Sequence, residues 1–106
     1  MFFDFDTLYN ETQGDAFASG KRKFYDDKVK NITTGQADGK FNVYAEVSGD
    51  EVYLCKITFD EQGGLYDYSC TCDGFHLESG PCKHIVATAL AFEERNPQMR
   101  FSGQNI

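Results

Sequence analysis

Apolar and polar residues alternate with a period of two over the middle of the chain, which is typical of strands that bury one face. In the first run, the positions that share one side are Phe41, Val43, Ala45 and Val47. After turn residues at 48–51, the positions that share one side are Tyr53, Cys55, Ile57 and Phe59. A second turn at 60–64 precedes a third extended run at 65–70. The pattern predicts an antiparallel meander of three strands, with residues 29–34 as a candidate fourth.

Two segments have the spacing of helices. The first is predicted at 15–26, where Asp15 can cap the first turn, and its shared face holds Phe17, Gly20, Phe24 and Tyr25. The second is predicted to start at Gly80–Pro81, because proline fits the first turn, where no N–H is needed. Its apolar stripe is Ile85, Ala89 and Phe92, and Pro97 ends it.

These elements predict one α+β domain over residues 15–96, with an N-terminal helix, a small antiparallel sheet of three to four strands, and a loop leading into a C-terminal helix. The 106 residues are too few for two independent cores. Residues 1–14 are predicted to dock on this domain or on a neighbouring one, because they include Phe2, Phe3, Phe5 and Leu8. Residues 97–106 are predicted to be a tail or linker.

The net negative charge disfavours binding of the chain to the phosphates of nucleic acid. The formal net charge is −7, and an acidic domain is repelled by nucleic acid unless its cations gather on one face. One such cluster, interrupted by two aspartates, consists of Lys21, Arg22, Lys23, Lys28 and Lys30. It is interpreted either as a solvated helix face or as a site for DNA.

The first residues do not have the pattern of an export signal, because Met1-Phe2-Phe3 is followed at once by Asp4 and Asp6. No apolar run approaches the roughly 18 residues that a membrane span needs. The chain is therefore expected to be soluble and intracellular, most simply cytoplasmic. In that compartment its four cysteines are expected to be reduced thiols or metal ligands rather than disulfides.

The strongest chemical signal is Cys70-Thr71-Cys72, followed after nine residues by Cys82-Lys83-His84. Residues two apart on a strand point to the same side, with Cα atoms about 6.6 Å apart. Two thiolates on a tetrahedral zinc ion lie about 3.8 Å apart, so side chains that lean inward reach one ion. The second pair reaches the same centre if Cys82 lies at the start of the helix, where free N–H groups and the helix dipole favour a thiolate.

The pattern thus predicts one structural zinc ion bound by Cys70, Cys72, Cys82 and His84. Four protein ligands leave no position for water or substrate, so the chain is not expected to be an enzyme by itself. Three thiolates and a neutral imidazole on a divalent cation leave a local charge of about −1. Lys83 either offsets this charge or is an exposed side chain that contacts nothing. The metal is also expected to order the loop at 73–80, whose only apolar residues are Phe75 and Leu77.

Other interpretations of these residues remain open. Cys70 and Cys72 could form a redox pair, although such pairs more often have two intervening residues. A Cys/His nucleophile pair has no identifiable orienting group in this sequence. Cys55 lies on an apolar strand face and is predicted to be a buried core residue. His76, inside the loop, could replace His84 as the ligand.

The motif resembles the SWIM zinc finger, written CxCx(n)CxH. The flanking residues are also similar to family members, in Ser69-Cys70-Thr71-Cys72-Asp73 and in Pro81-Cys82-Lys83-His84-Ile85-Val86-Ala87. Weaker similarity extends from roughly Ala16 to Leu90 and includes Lys23-Phe24-Tyr25 and the turn at 47–53. The resemblance implies zinc on the four residues named above and a finger core at 68–92.

SWIM domains occur in bacterial Swi/Snf-type helicases, Mutator-type transposases and some eukaryotic ubiquitin ligases and kinases, and they are proposed to bind DNA or other proteins. The resemblance implies a module of a larger nucleic-acid-processing protein such as a bacterial helicase. The acidic charge favours contact with a partner protein or a neighbouring domain, and DNA binding through the cluster from Lys21 to Lys30 is the alternative. No phosphate loop of the form Gly-x-x-x-x-Gly-Lys-Ser/Thr occurs in the 106 residues.

Overall fold

A four-stranded antiparallel sheet in the order β1-β2-β3-β4 is the central element of the chain in a computed structural model. The structure describes residues 3–72 and 80–96. Three parts of the sequence-based predictions lie outside the described residues. They are Phe2, residues 73–79 of the loop that the metal is expected to order, and the predicted tail at 97–106. The boundaries proposed for the domain stay predictions.

The strands confirm the predicted meander and its fourth member. They are β1 (Val29–Ala37), β2 (Lys40–Ser48), β3 (Val52–Phe59) and β4 (Leu65–Cys70). β1 is three residues longer at its end than the sequence pattern indicates, and it joins β2 through Asp38 and Gly39. Both residues have positive φ, at 55° and 78°. Two left-handed residues suit a tight hairpin, because their twist matches that of the flanking strands.

Three helices occur in the described ranges, α1 (Phe5–Glu11), α2 (Ala16–Tyr25) and α3 (Lys83–Arg95). α2 agrees with the predicted helix, whereas α3 begins later than the predicted Gly80–Pro81 start, with Cys82 as its N-cap. The pattern did not predict α1, since seven residues are too few for a clear period. Its N-cap is Asp4, whose Oδ1 accepts the Thr7 N–H at 3.1 Å. Within these ranges no helix has the length and apolar character that a bilayer span requires.

The core lies between the inner face of the sheet and α3, with α1 closing one end. Most residues of the predicted inner face are buried, namely Val43, Ala45, Val47, Cys55, Ile57 and Phe59, whereas Phe41 and Tyr53 are half-buried. The alternation is interrupted on the other face, where Asn42 and Thr58 are buried and hydrogen-bonded to each other at 2.7 Å. From the N-terminal segment, Phe3, Phe5 and Leu8 join the same core. The Phe5 ring lies 5.2 Å from the Phe59 ring and 6.0 Å from the Phe92 ring, between centroids. The described part of the segment therefore packs on this domain through aromatic contacts.

α2 packs directly on the first turns of α3, and Gly20 allows the close approach. A Cβ atom at Gly20 would lie 2.6 Å from the Lys83 carbonyl oxygen and 2.6 Å from the Val86 Cβ. Neither atom belongs to the free end of a flexible side chain. The absence of a side chain at Gly20 therefore sets the position of the residues that begin α3.

We predict that Gly20→Ala lowers the free energy of unfolding by about 1–3 kcal/mol, because a methyl group there forces two helices apart. Urea unfolding of wild type and variant measures the difference. The matched control is Gly35→Ala on β1, where the nearest atom to the new methyl group is a Tyr44 ring carbon at 3.9 Å. The control should stay close to wild type, and equal stability of the two variants would contradict the close contact.

Candidate metal centre

Cys70 is the last residue of β4, and Cys72 lies in the bend that follows the strand. Cys70 pairs with Cys55 across to β3. Beyond β4, Thr71 N–H donates to the Leu54 carbonyl at 3.2 Å, and Leu54 N–H donates to Thr71 Oγ1 at 3.0 Å. The two bonds hold the chain beside β3 between the two cysteines. Both thiols are consequently buried, each with 5% of the residue exposed.

Cys82 and His84 lie at the start of α3. Cys82 is the N-cap, with φ −82° and ψ 172°, and its carbonyl accepts the Val86 N–H at 3.1 Å. This confirms the prediction that Cys82 lies at the helix start. The chain enters through Gly80, whose φ is 89°, and a Cβ there would lie 2.3 Å from the Glu11 carbonyl oxygen. The end of α1 thus fixes the path that leads to the second pair of candidate ligands.

The structure brings all four predicted ligands together. One ligand atom from each residue lies within 4.8 Å of the others in the set Cys70, Cys72, Cys82 and His84. His84 Nδ1 is 3.8 Å from Cys70 Sγ and 3.9 Å from Cys82 Sγ, so Nδ1 is the nitrogen that faces the thiols. Ligand atoms on tetrahedral zinc lie about 3.5–3.8 Å apart, and small side-chain rotations would close the difference. Three sulfur atoms and one imidazole nitrogen fit a tetrahedral metal ion, and metal binding by these residues stays a prediction.

Tyr53 of β3 holds the His84 ring in place. The two rings stack with centroids 4.3 Å apart and an interplanar angle of 27°. Stacking limits rotation of the imidazole about its Cβ–Cγ bond, and a half-turn about this bond would put the carbon Cδ2 in the place of Nδ1. The contact therefore keeps Nδ1 directed at the sulfur atoms.

The thiols resist ionisation in the absence of a cation. The pKa of Cys70 is raised to about 12, first by its hydrogen bond with Cys55 and then by burial. The pKa of Cys82 is also raised, first by its hydrogen bond with Cys70 and then by burial. Burial of negative charge is unfavourable unless an opposite charge compensates it. A bound divalent cation would supply that charge, and its binding would release the thiol protons.

His84 has the opposite shift. Its pKa is lowered from 6.5 to about 4, chiefly by burial and further by the charges of Lys23 and Lys83. The imidazole is therefore neutral at pH 7, the form that binds a metal. The effect of Lys83 agrees with its expected influence on the site, whereas Lys23 was assigned only to the basic cluster. Its position three residues after Gly20 could have indicated this role, because i and i+3 share a helix face.

The other cysteine and histidine predictions have mixed outcomes. Cys55 is 3% exposed, which confirms it as a core residue. The sequence did not reveal that its Sγ lies 3.6 Å from Cys70 Sγ. All four cysteines lie in the described residues and none is in a disulfide, so the structure contains no Cys70–Cys72 redox disulfide. His76, the alternative ligand, lies outside the described residues.

A buried cluster of three cysteines and one histidine, between the end of a strand and the start of a helix, defines a zinc-finger type of metal-binding module. The profile of the SWIM zinc finger family matches residues 52–93, which include all four candidate ligands. The similarity to the SWIM zinc finger that the motif indicated is therefore confirmed over residues 52–93. The comparisons with curated proteins and with solved structures found no match.

We predict that the metal-free protein loses stability as the pH falls from 6.5 to about 4, because His84 then binds a proton in the unfolded state and not in the folded state. Urea unfolding at a series of pH values measures this dependence. His84→Asn is the control, since it removes the titrating group and retains every carboxylate. The slope of stability against pH should be smaller in the variant over this range, and equal slopes would contradict the lowered pKa.

Proposed function

We propose that the chain is a structural zinc module that binds one Zn²⁺ through Cys70, Cys72, Cys82 and His84. The observation that carries the proposal is the convergence of these four buried donors within 4.8 Å of one another. Thiolate and imidazole donors in a tetrahedral set favour zinc over the hard cations that prefer oxygen ligands. When bound, the ion supplies positive charge to the thiolates and joins the end of β4 to the start of α3.

The coordination set supports a structural role for the ion. Four protein ligands complete a tetrahedral shell, whereas a catalytic zinc keeps a position for water or substrate. Apparent zinc-binding free energies of about 10–16 kcal/mol are comparable with the whole net stability of a small domain, about 5–15 kcal/mol. We accordingly assign the chain a role in organising a surface rather than in catalysis.

We predict one zinc ion per chain in reduced protein, and a large rise in the thermal midpoint of unfolding when the metal is added to chelated protein. Elemental analysis and calorimetry measure the two quantities. Cys82→Ser should lower zinc affinity by more than the roughly 10–100-fold that an outer-shell change produces, because it removes a direct ligand.

The matched control is Cys55→Ser, which changes a buried cysteine of the same core and retains all four proposed ligands. This variant should still bind one equivalent of zinc. The proposal would fail if reduced wild-type protein remained metal-free in excess zinc, or if both serine variants lost zinc equally.

The organised surface is proposed to contact a partner protein or a neighbouring domain in a larger, intracellular nucleic-acid-processing protein such as a helicase. Support comes from the outer sheet face, defined by four exposed side chains, Tyr44, Val52, Leu54 and Tyr66. Leu54 is 57% exposed and Tyr66 is 61% exposed. Grouped exposed apolar residues are typical of protein contact surfaces.

The basic cluster gives weaker support for the DNA alternative. Lys30 Nζ forms an ion pair with Asp27 at 3.0 Å. Lys23 Nζ lies 3.5 Å from the Ser48 carbonyl oxygen, and its charge acts on His84. Arg22 donates to Ser19 Oγ at 3.2 Å, and Lys21 Nζ lies 5.9 Å from the centroid of the Phe17 ring. Four of the five cations thus have contacts within the domain, and the net charge of −7 opposes approach to phosphates. Contact with protein is therefore the function we assign.

We predict that a photo-crosslinking amino acid at position 54, in the outer sheet face, forms protease-sensitive adducts in cells. The same amino acid at position 22, in the basic cluster, is the control and should form none. Denaturing gels measure the adducts formed from each of the two positions. Samples are compared with and without irradiation, and after digestion by protease or by nuclease.

A titration of the chain with labelled duplex DNA tests the alternative. Binding through phosphates would weaken steeply as salt rises and would be lost in Lys21→Glu. Such a result, with no adduct from position 54, would replace the assigned function by DNA binding.

A further inference from the structure

Cys55 is the one cysteine outside the proposed ligand set, yet it contacts a ligand. Its Sγ lies 3.6 Å from Cys70 Sγ, and both residues are almost fully buried, at 3% and 5% exposed. The four cysteines of the chain are thus divided into three ligands and one thiol in van der Waals contact with them. The position of this fourth thiol has a chemical consequence when the protein is oxidised.

The backbone places the Cys55 and Cys70 side chains close together. The two residues are directly opposite in the β3–β4 register. The neighbouring pair, Leu54 and Thr71, has the Thr71 N–H to Leu54 carbonyl bond of a hydrogen-bonded pair. Because such pairs alternate, Cys55 and Cys70 form a non-hydrogen-bonded pair, in which Cα atoms are about 4.5 Å apart and side chains are closer. This separation is within the range of about 4.4–6.8 Å that a disulfide spans.

We infer that Cys55 and Cys70 are a site of oxidative modification at which hydrogen peroxide forms a disulfide. One sulfur attacks the peroxide O–O bond and becomes a sulfenic acid, with release of water after proton transfer. The second sulfur then displaces the sulfenic oxygen, which leaves as water, and the S–S bond forms. In total two thiols are oxidised, one peroxide molecule is reduced and two water molecules are produced.

Competition among the sulfur atoms favours this pair. Cys72 lies in the bend beyond the end of β4 and is outside the β3–β4 register that places Cys55 directly opposite Cys70. In the metal-loaded protein, Cys72 and Cys82 are also held by the cation, which lowers their reactivity toward a neighbouring sulfenic acid. Cys55 carries no such restraint and already contacts Cys70. In the metal-loaded protein a sulfenic acid at Cys70 is therefore expected to react with Cys55 rather than with Cys82, which also lies beside Cys70.

The disulfide removes Cys70 from the ligand set and leaves three donors for the metal. This consequence rests on the proposed zinc site, whereas disulfide formation itself does not. Cys55 and Cys70 are almost fully buried, and neither lines the neighbouring cavity of about 610 Å³, which is lined in part by Cys72, Cys82 and His84. Access therefore favours a small oxidant. Hydrogen peroxide is close to water in size, and oxidised glutathione is too large to reach a sulfur atom behind these ligands.

Peptide mapping of the whole zinc-loaded chain after hydrogen peroxide treatment and alkylation in denaturant tests the inference. Trypsin cleavage at Lys40, Lys56 and Lys83 separates residues 41–56, with Cys55, from residues 57–83, with the three other cysteines. A second cleavage before Asp73 separates Cys82 from the remaining two, and fragment ions distinguish Cys70 from Cys72. The expected product is Cys55 linked to Cys70, with loss of two hydrogen atoms and of the bound zinc.

The matched variant is Cys55→Ser, which retains every proposed ligand and should keep its zinc under peroxide doses that empty the wild type. Oxidised glutathione at the same concentration should leave wild-type zinc in place. The peptide map of oxidised wild-type protein identifies the disulfide directly, so the test does not depend on whether Cys55→Ser folds.

Two outcomes separate this inference from the proposed function. If zinc binds and peroxide produces only disulfides among Cys70, Cys72 and Cys82, with Cys55 alkylated, the inference is wrong and the zinc site stands. If the reduced chain binds no zinc, the proposed function fails. The cross-strand geometry of Cys55 and Cys70 does not depend on the metal, so the peptide map of the peroxide-treated metal-free chain then tests this link by itself.

Discussion

Burial of three thiols and one imidazole at a single junction is the constraint on which the rest of the molecule depends. Anionic sulfur is unfavourable in a buried site without a compensating charge, and the raised pKa values of Cys70 and Cys82 express this cost. A divalent cation reverses the balance, since it stabilises the thiolates that the protein surroundings disfavour. In this view the zinc proposed for the site would act as the counter-charge of the buried thiolates.

The remaining elements position the two halves of this junction. The cross-strand pairing of β3 and β4 directs Cys70 and Cys72 inward, and α2 packs on the start of α3 through Gly20. The end of α1 meets Gly80 and so determines how the chain approaches Cys82. Helices that are distant from the motif in sequence therefore orient the candidate ligands. Small movements of α2 or α1 would change the ligand geometry before they exposed much of the core.

The two faces of the sheet have different chemistry. The inner face carries the core, the candidate ligands and the Cys55 thiol beside Cys70, whereas the outer face exposes Tyr44, Leu54 and Tyr66. A partner on the outer sheet face would contact the same strands, β3 and β4, that lead to the metal centre. Oxidation of Cys55 and Cys70 would join those strands covalently and release the metal, so the proposed docking surface and the redox chemistry share one structural element.

The sequence by itself determined the features that depend on neighbours along the chain. Alternation of apolar residues predicted the strands and their inner faces, and the Cys-x-Cys and Cys-x-His spacings predicted the four candidate ligands and the place of Cys82 at a helix start. The strands, the helix start at Cys82 and the grouping of the four candidate ligands agree with the structure because side-chain direction follows from local backbone geometry, and metal binding by the four residues stays a prediction. Other features depend on which elements meet. The contact of Cys55 with Cys70 follows from the strand register, and the influence of Lys23 on His84 follows from the packing of α2 on α3. Only the tertiary structure decides such contacts, because their partners are many residues apart and no local pattern encodes the distance between them.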